Sequence, residues 1–167
     1  ELLYKSFKIL KSSIKERIYL ITNYNLIQGQ FKKLKLKMDF VCVKNINENI
    51  NSKKIKIINI NIASKNIFDV PKNAASKFVQ KSLNMGHKYS LNKNVAGLIN
   101  CPISKNLLNS SKIGVTEYLA SKCKIKNNSE AMLLKNKHLS ICPITTHLDI
   151  KEVARNISTN KIIKKVL

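Results

Sequence analysis

Short apolar runs alternate along this chain with longer stretches of helical periodicity, and that alternation limits the fold more than any other feature. Arg17–Thr22, Phe40–Val43, Ile55–Ile60, Val95–Ile99, Ala131–Leu134 and His138–Ile144 each read as a strand. Leu3, Phe7, Leu10 and Ile14 recur at helical spacing over about 1–14, and Ile27, Phe31 and Leu34 mark a second helix. Pro71 opens a third, whose apolar face is Ala74, Ala75, Phe78, Val79, Ser82 and Leu83. A short helix is expected over Ser104–Leu108, and another through Ser121 with Thr116 as its cap. Asp149 and Glu152 form a capping-box-like start for a helix to about Ile157, and a final helix begins near Asn160. Strands separated by helices imply an α/β domain with a mostly parallel sheet. Residues 1–167 read as one incomplete region of that kind, without repeats or an internal boundary.

Several classes are excluded. The 167 residues are 44% hydrophobic, too apolar for a fully disordered chain, and no apolar stretch approaches membrane-spanning length. The chain opens on Glu1 inside a helical pattern and has no secretory signal, so a piece of a longer protein is expected. Cys42, Cys101, Cys123 and Cys142 contain no C-x-x-C pair, which argues against a zinc knuckle. Cys42 and Cys142 lie in apolar runs and read as small buried hydrophobes, in keeping with a reducing, cytoplasmic setting.

The net charge is +22. Such a balance raises nucleic acid as a partner, because phosphate neutralisation drives that binding. Two features weigh against it. The lysines are scattered over the whole chain, and Arg17 and Arg155 are the only arginines, whereas bidentate reading of bases and phosphates favours Arg.

In open α/β sheets ligands bind beyond the carboxyl ends of strands. Two such ends are unusually polar: Asn100-Cys101-Pro102-Ile103-Ser104-Lys105, and Thr145-Thr146-His147-Leu148-Asp149. His147, between a strand and a helix start, is open between a divalent-metal ligand or catalyst and a hydrogen-bonded cap. His87 and His138 read as solvated. Thr116 is open between a phosphate contact, through its hydroxyl and N–H, and a plain cap. Lys105 is suited to neutralising a phosphate, and Glu117 is a first-turn carboxylate. No Walker, dinucleotide or nucleophile-elbow motif occurs. These residues alone indicate a phosphorylated small-molecule site and specify no reaction.

Taken in order, Gly97-Leu-Ile-Asn-Cys-Pro-Ile-Ser-Lys105, Gly114-Val-Thr-Glu-Tyr-Leu-Ala120, Ala131-Met-Leu-Leu134 and Thr145-Thr-His-Leu-Asp-Ile-Lys-Glu-Val153 resemble the 4-hydroxythreonine-4-phosphate dehydrogenase family of vitamin B6 biosynthesis. The resemblance runs from about Ile18 to the end and is best after Val95. It implies a three-layer α/β/α fold of the isocitrate-dehydrogenase kind and a homodimer. It also implies NAD and a divalent metal (Zn, Mg or Co) as cofactors. The implied reaction oxidises 4-phosphooxy-L-threonine to a 3-oxo acid that decarboxylates to 3-amino-2-oxopropyl phosphate. His147 matches the first metal-binding histidine, in T-T-H. Thr116 matches the substrate-contacting threonine of G-H-T-E, and Lys105 the lysine of G-P-x-x-K.

The departures are specific. Val115 stands where the family has histidine, and Asn100-Cys101-Pro102 where it has T-G-P. About three residues before Gly114 are missing from the pattern. The family's glycine-rich opening, its other two metal histidines and most of its cofactor site are not in this sequence, so the chain is expected to be inactive alone. Alternative readings are a 4-phospho-erythronate or threonate dehydrogenase, a degenerate dehydrogenase, and a basic, non-catalytic nucleic-acid-binding module.

Overall fold

The β-branched run Ile55–Asn59 (β3) forms the middle strand of a parallel three-stranded sheet, flanked by Tyr19–Thr22 (β1) and Phe40–Val43 (β2) in the order β1-β3-β2. Ile57 lies opposite Leu20 on one side and Cys42 on the other. The computed structural model describes residues 1–48, 50, 52, 54–64, 66–108, 114–123, 130–146 and 148–166. The chain divides into two compact units, Glu1–Lys112 and Ile113–Leu167.

In the first unit successive β3 side chains enter opposite layers, as strand alternation requires. Ile55 and Ile57 meet Phe7 of α1 (Leu2–Ile9), Ile27 and Phe31 of α3 (Tyr24–Lys33), and Phe40 of β2. Phe31 is the hub of this core. Its ring stands edge-on to Phe40 at 5.1 Å and to Tyr4 at 6.2 Å between centroids, a geometry that adds about 0.5–1.5 kcal/mol per pair beyond burial. On the other face lie Ile58 and the long helix α4 (Lys72–Ser90). Gly86 lets α4 come close: an ideal Cβ there would sit 2.7 Å from Leu98 Cδ1 and 3.6 Å from Ile21 Cδ1. The result is the expected α/β/α layering.

The carboxyl ends of β1 and β3 are fastened by asparagine. Asn23, only 8% exposed, accepts from the N–H of Leu26 at 2.9 Å and so caps α3. Its amide also donates to the Ile60 carbonyl at 2.8 Å. Asn59 Oδ1 accepts from the Tyr24 N–H at 2.8 Å. Lys56, also buried, donates to the Glu16 carbonyl at 3.0 Å, with its Nζ 5.0 Å from the Tyr19 ring centroid. An ammonium held in this way keeps a donor partner and a cation–π contact while its stem is buried.

α3 ends in a Schellman turn. The Leu36 N–H donates to the Phe31 carbonyl at 2.9 Å and the Lys35 N–H to that of Lys32 at 3.1 Å. Lys35 occupies the left-handed position, φ 54°, where glycine is usual. Leu36 packs back onto the core, which holds a lysine in this conformation.

Some expected elements differ. The first helix breaks at Leu10, which is extended, and resumes as α2 (Ser12–Lys15). The two serines fall at the restart, where their weak interior propensity matters least. Val95–Ile99 forms no strand: extended backbone becomes a strand only beside a partner edge, and among the described residues none pairs with it. Leu98 is anchored by its packing at Gly86 instead, and Ile99 is 95% exposed. Ser104–Leu108 is a single 3-10 turn, Lys105–Leu107. Cys42 is exposed, because β2 is an edge strand and cover on that face stops at Phe40.

The second unit contains α5 (Val115–Lys122), β4 (Leu134–Lys135), β5 (Ser140–Ile141), α6 (Ile150–Asn156) and α7 (Thr159–Val166). The two apolar runs expected to be strands form a short antiparallel hairpin, Leu134 opposite Ile141. The connection is too short for a parallel crossover, which needs a dozen or more residues. Asn136 makes the turn, its Oδ1 accepting from the N–H groups of His138 and Leu139, both at 2.8 Å. Among the described residues of this unit none is fully buried. No helix among the described residues is long and apolar enough to cross a membrane.

Two outcomes follow for stability. Asn23→Ala removes a cap and strands a carbonyl, and should lower the unfolding free energy by about 2–4 kcal/mol in denaturant titration. Lys35→Gly relieves the left-handed residue and should raise it by about 0.5–1 kcal/mol; a loss of stability would show that φ 54° carries no strain.

Candidate functional site

Lys105 is held by an anchored turn. Leu108, three residues on, is buried, and the Leu107 carbonyl accepts from Ser76 Oγ of α4 at 2.7 Å. Gln80 Nε2 approaches the same carbonyl at 3.5 Å and Ser76 Oγ at 3.1 Å. Ser76 and Gln80 are four residues apart on α4 and so share a face. The lysine itself is exposed.

Val115, Thr116 and Glu117 form the first turn of α5. The helix begins two residues earlier than expected, so Gly114 rather than Thr116 is the N-cap, and it makes no side-chain cap bond. Thr116 is thereby the second helical residue, and it is exposed. Its backbone N–H belongs to the first turn, whose donors have no partner within the helix and whose dipole favours anions. Val115 is half-buried and offers no polar group, and Glu117 is a half-buried first-turn carboxylate.

His147 lies outside the described residues. Of its neighbours, Thr145 is half-buried and Thr146 exposed, and Asp149 is the N-cap of α6. The capping box expected from Asp149 and Glu152 does not close: Asp149 makes no cap bond and faces Lys151 at 3.8 Å, while Glu152 faces Arg155 at 3.9 Å. Long exposed partners two and three residues away compete with the backbone for both carboxylates. His138 is exposed in the hairpin turn, as expected, whereas His87 is half-buried in the last turn of α4.

Lys105 belongs to the first unit and Thr116 to the second; of the expected site residues, only Val115 and Thr116 share one element. Among the described residues no three His, Cys, Asp or Glu side chains gather to hold a metal ion. Chemically, the arrangement provides a hydroxyl and a helix start suited to an anion, and an exposed ammonium on an anchored turn.

The sequence model of the family described as pyridoxal phosphate biosynthetic protein PdxA matches residues 13–167. Three curated relatives carry the name 4-hydroxythreonine-4-phosphate dehydrogenase. That of a Sulfurihydrogenibium species is 40% identical over 79 residues, covering 46% of this chain and 24% of the relative. That of Pseudomonas putida is 31% identical over 88 residues (51% and 26%), and that of Erythrobacter litoralis 29% over 93 residues (54% and 28%). The matched stretches thus span about a quarter of these relatives' length. With its T-T-H and G-x-T-E segments inside the matched range, the chain belongs to the PdxA family of pyridoxal phosphate biosynthetic proteins.

Proposed function

We propose that this chain is the N-terminal part of a 4-hydroxythreonine-4-phosphate dehydrogenase. The complete protein would be a cytoplasmic homodimer that oxidises 4-phosphooxy-L-threonine with NAD and a divalent metal. Its 3-oxo acid product would lose carbon dioxide to give 3-amino-2-oxopropyl phosphate. The family match over residues 13–167 carries the reading. The exposed Thr116 in the first turn of α5 supports it from the structure.

The roles within this chain are limited. Thr116 would donate its hydroxyl and N–H to the phosphorylated substrate, where the helix start favours negative charge. Lys105 would balance phosphate charge from its anchored turn. His147 would be one metal ligand. The described residues alone do not make a metal site, so the remaining ligands, like most of the NAD pocket, would come from the part of the protein that this chain does not include. When bound, the metal would supply Lewis-acid polarisation of the substrate hydroxyl and NAD the hydride acceptor.

Val115 favours a second reading within the same chemistry. A half-buried valine replaces a polar contact at the substrate-facing helix start, which suits a different phosphorylated hydroxy acid such as 4-phospho-erythronate or threonate. Nucleic acid gains no support from the structure. Exposed lysines occur on α1, α3, α4, α5 and α7 rather than on one element.

The test is NADH formation by the complete protein supplied with 4-phosphooxy-threonine, NAD and a divalent metal. His147→Ala should reduce turnover by at least about 100-fold. Thr116→Ala should raise KM by about tenfold or more. Turnover of 4-phospho-erythronate alone would establish the second reading, and wild-type rates in both variants would remove these residues from the site.

A further inference from the structure

The stretch from Leu98 to Leu108 is fastened to one helix at both of its ends. Leu98 packs where α4 carries Gly86, and Leu108 is buried next to Leu107, whose carbonyl accepts from Ser76 Oγ at 2.7 Å. Ser76 and Gly86 are ten residues apart on α4, about 15 Å along its axis. The chain from Leu98 to Leu107 could reach about 30 Å if extended, about twice the gap it spans. Its middle therefore arches out: Ile99 is 95% exposed, and Asn100, Cys101, Pro102, Ser104 and Lys105 are exposed with it. An arch of this kind takes its shape from its feet. The foot nearer Lys105 is a single 3-10 turn, closed by the Leu107 N–H on the Ser104 carbonyl and the Leu108 N–H on the Lys105 carbonyl, both at 3.0 Å. Such a turn has poorer hydrogen-bond geometry than an α-helix, so support from a neighbouring element counts. Ser76 gives that support: its hydroxyl accepts from Gln80 Nε2 at 3.1 Å while it donates to Leu107.

We propose that Ser76 is a positioning residue for phosphate binding at Lys105. It acts through the Leu107 carbonyl, which fixes the turn that begins with Lys105 and so the direction in which the ammonium leaves the arch. A lysine stem is long and flexible, and less freedom is lost on binding when its backbone is already fixed. This inference rests on the dehydrogenase reading for its substrate and for the role of Lys105. It goes beyond that reading by giving a function to a residue of α4 that does not itself need to touch the substrate.

The experiment is a double-mutant cycle in the complete protein, read by steady-state kinetics with 4-phosphooxy-threonine and by amide hydrogen exchange. Ser76→Ala should raise KM by about fivefold, with kcat changed by no more than about twofold. Ser76→Thr, which keeps the hydroxyl, should restore KM to near the wild-type value. Lys105→Met should raise KM by at least about tenfold. In that background Ser76→Ala should change KM no further, because its effect passes through the ammonium. Additive effects on KM, an unchanged KM in Ser76→Ala, or a Ser76→Thr variant as impaired as Ser76→Ala would each overturn the proposal. If the wild-type protein forms no NADH, the functional reading fails, and the substrate role of Ser76 with it. The anchor is then decided by hydrogen exchange: Ser76→Ala should speed exchange at the Leu107 and Leu108 amides by about fivefold and leave that of Leu83 on α4 unchanged. Equal rates in wild type and variant would overturn the anchor too.

Discussion

The first unit is organised around the side chain of Asn23. One amide oxygen starts α3 and one amide nitrogen holds the chain as it leaves β3. Two elements distant in sequence are thereby registered at the same end of the sheet. The bond is strong in consequence because Asn23 is buried: a lost partner there cannot be replaced by water. With β1, β3 and α3 fixed together, Phe31 is presented at the height where it meets Tyr4 and Phe40. The aromatic core is thus placed by a polar interaction at its rim.

How much of this was legible in the amino-acid sequence depends on what each segment buries. β1, β2, β3, α3 and α4 appear nearly where their patterns indicate, because each packs a continuous apolar face. Val95–Ile99 has the composition of a strand without a paired edge, and a pattern of side chains cannot report whether an edge is present. The residues from Ala131 to Ile144 contain the right turn and the right apolar runs, but their pairing is antiparallel because the connection is short. Lys35 in a left-handed turn was not legible, since nothing local distinguishes it from the other lysines; Leu36 and the core determine it.

The site divides similarly. The order and spacing of its motifs were readable, and they led to the family that the chain belongs to. The anchoring of Lys105 was not, because Ser76 and Gln80 lie about thirty residues upstream and act by hydrogen bonds to one carbonyl. The carboxylate of Glu117 was visible as a favourable first-turn charge. Unit two shows the other limit of local reading: Ile150 is 92% exposed, on a helix whose start was readable and whose packing was not.

The sheet has open sides. Among the described residues β1 and β2 are its outer strands, each four residues long, with unpaired backbone along one margin. Such margins template pairing with other chains, and the hazard grows with strand length and falls with nearby charge. Brevity and a chain charge of +22 both act here as gatekeepers. Colloidal behaviour of this polypeptide should therefore be governed by ionic strength: dilute salt keeps copies apart by repulsion, and concentrated salt exposes the strand margins to one another.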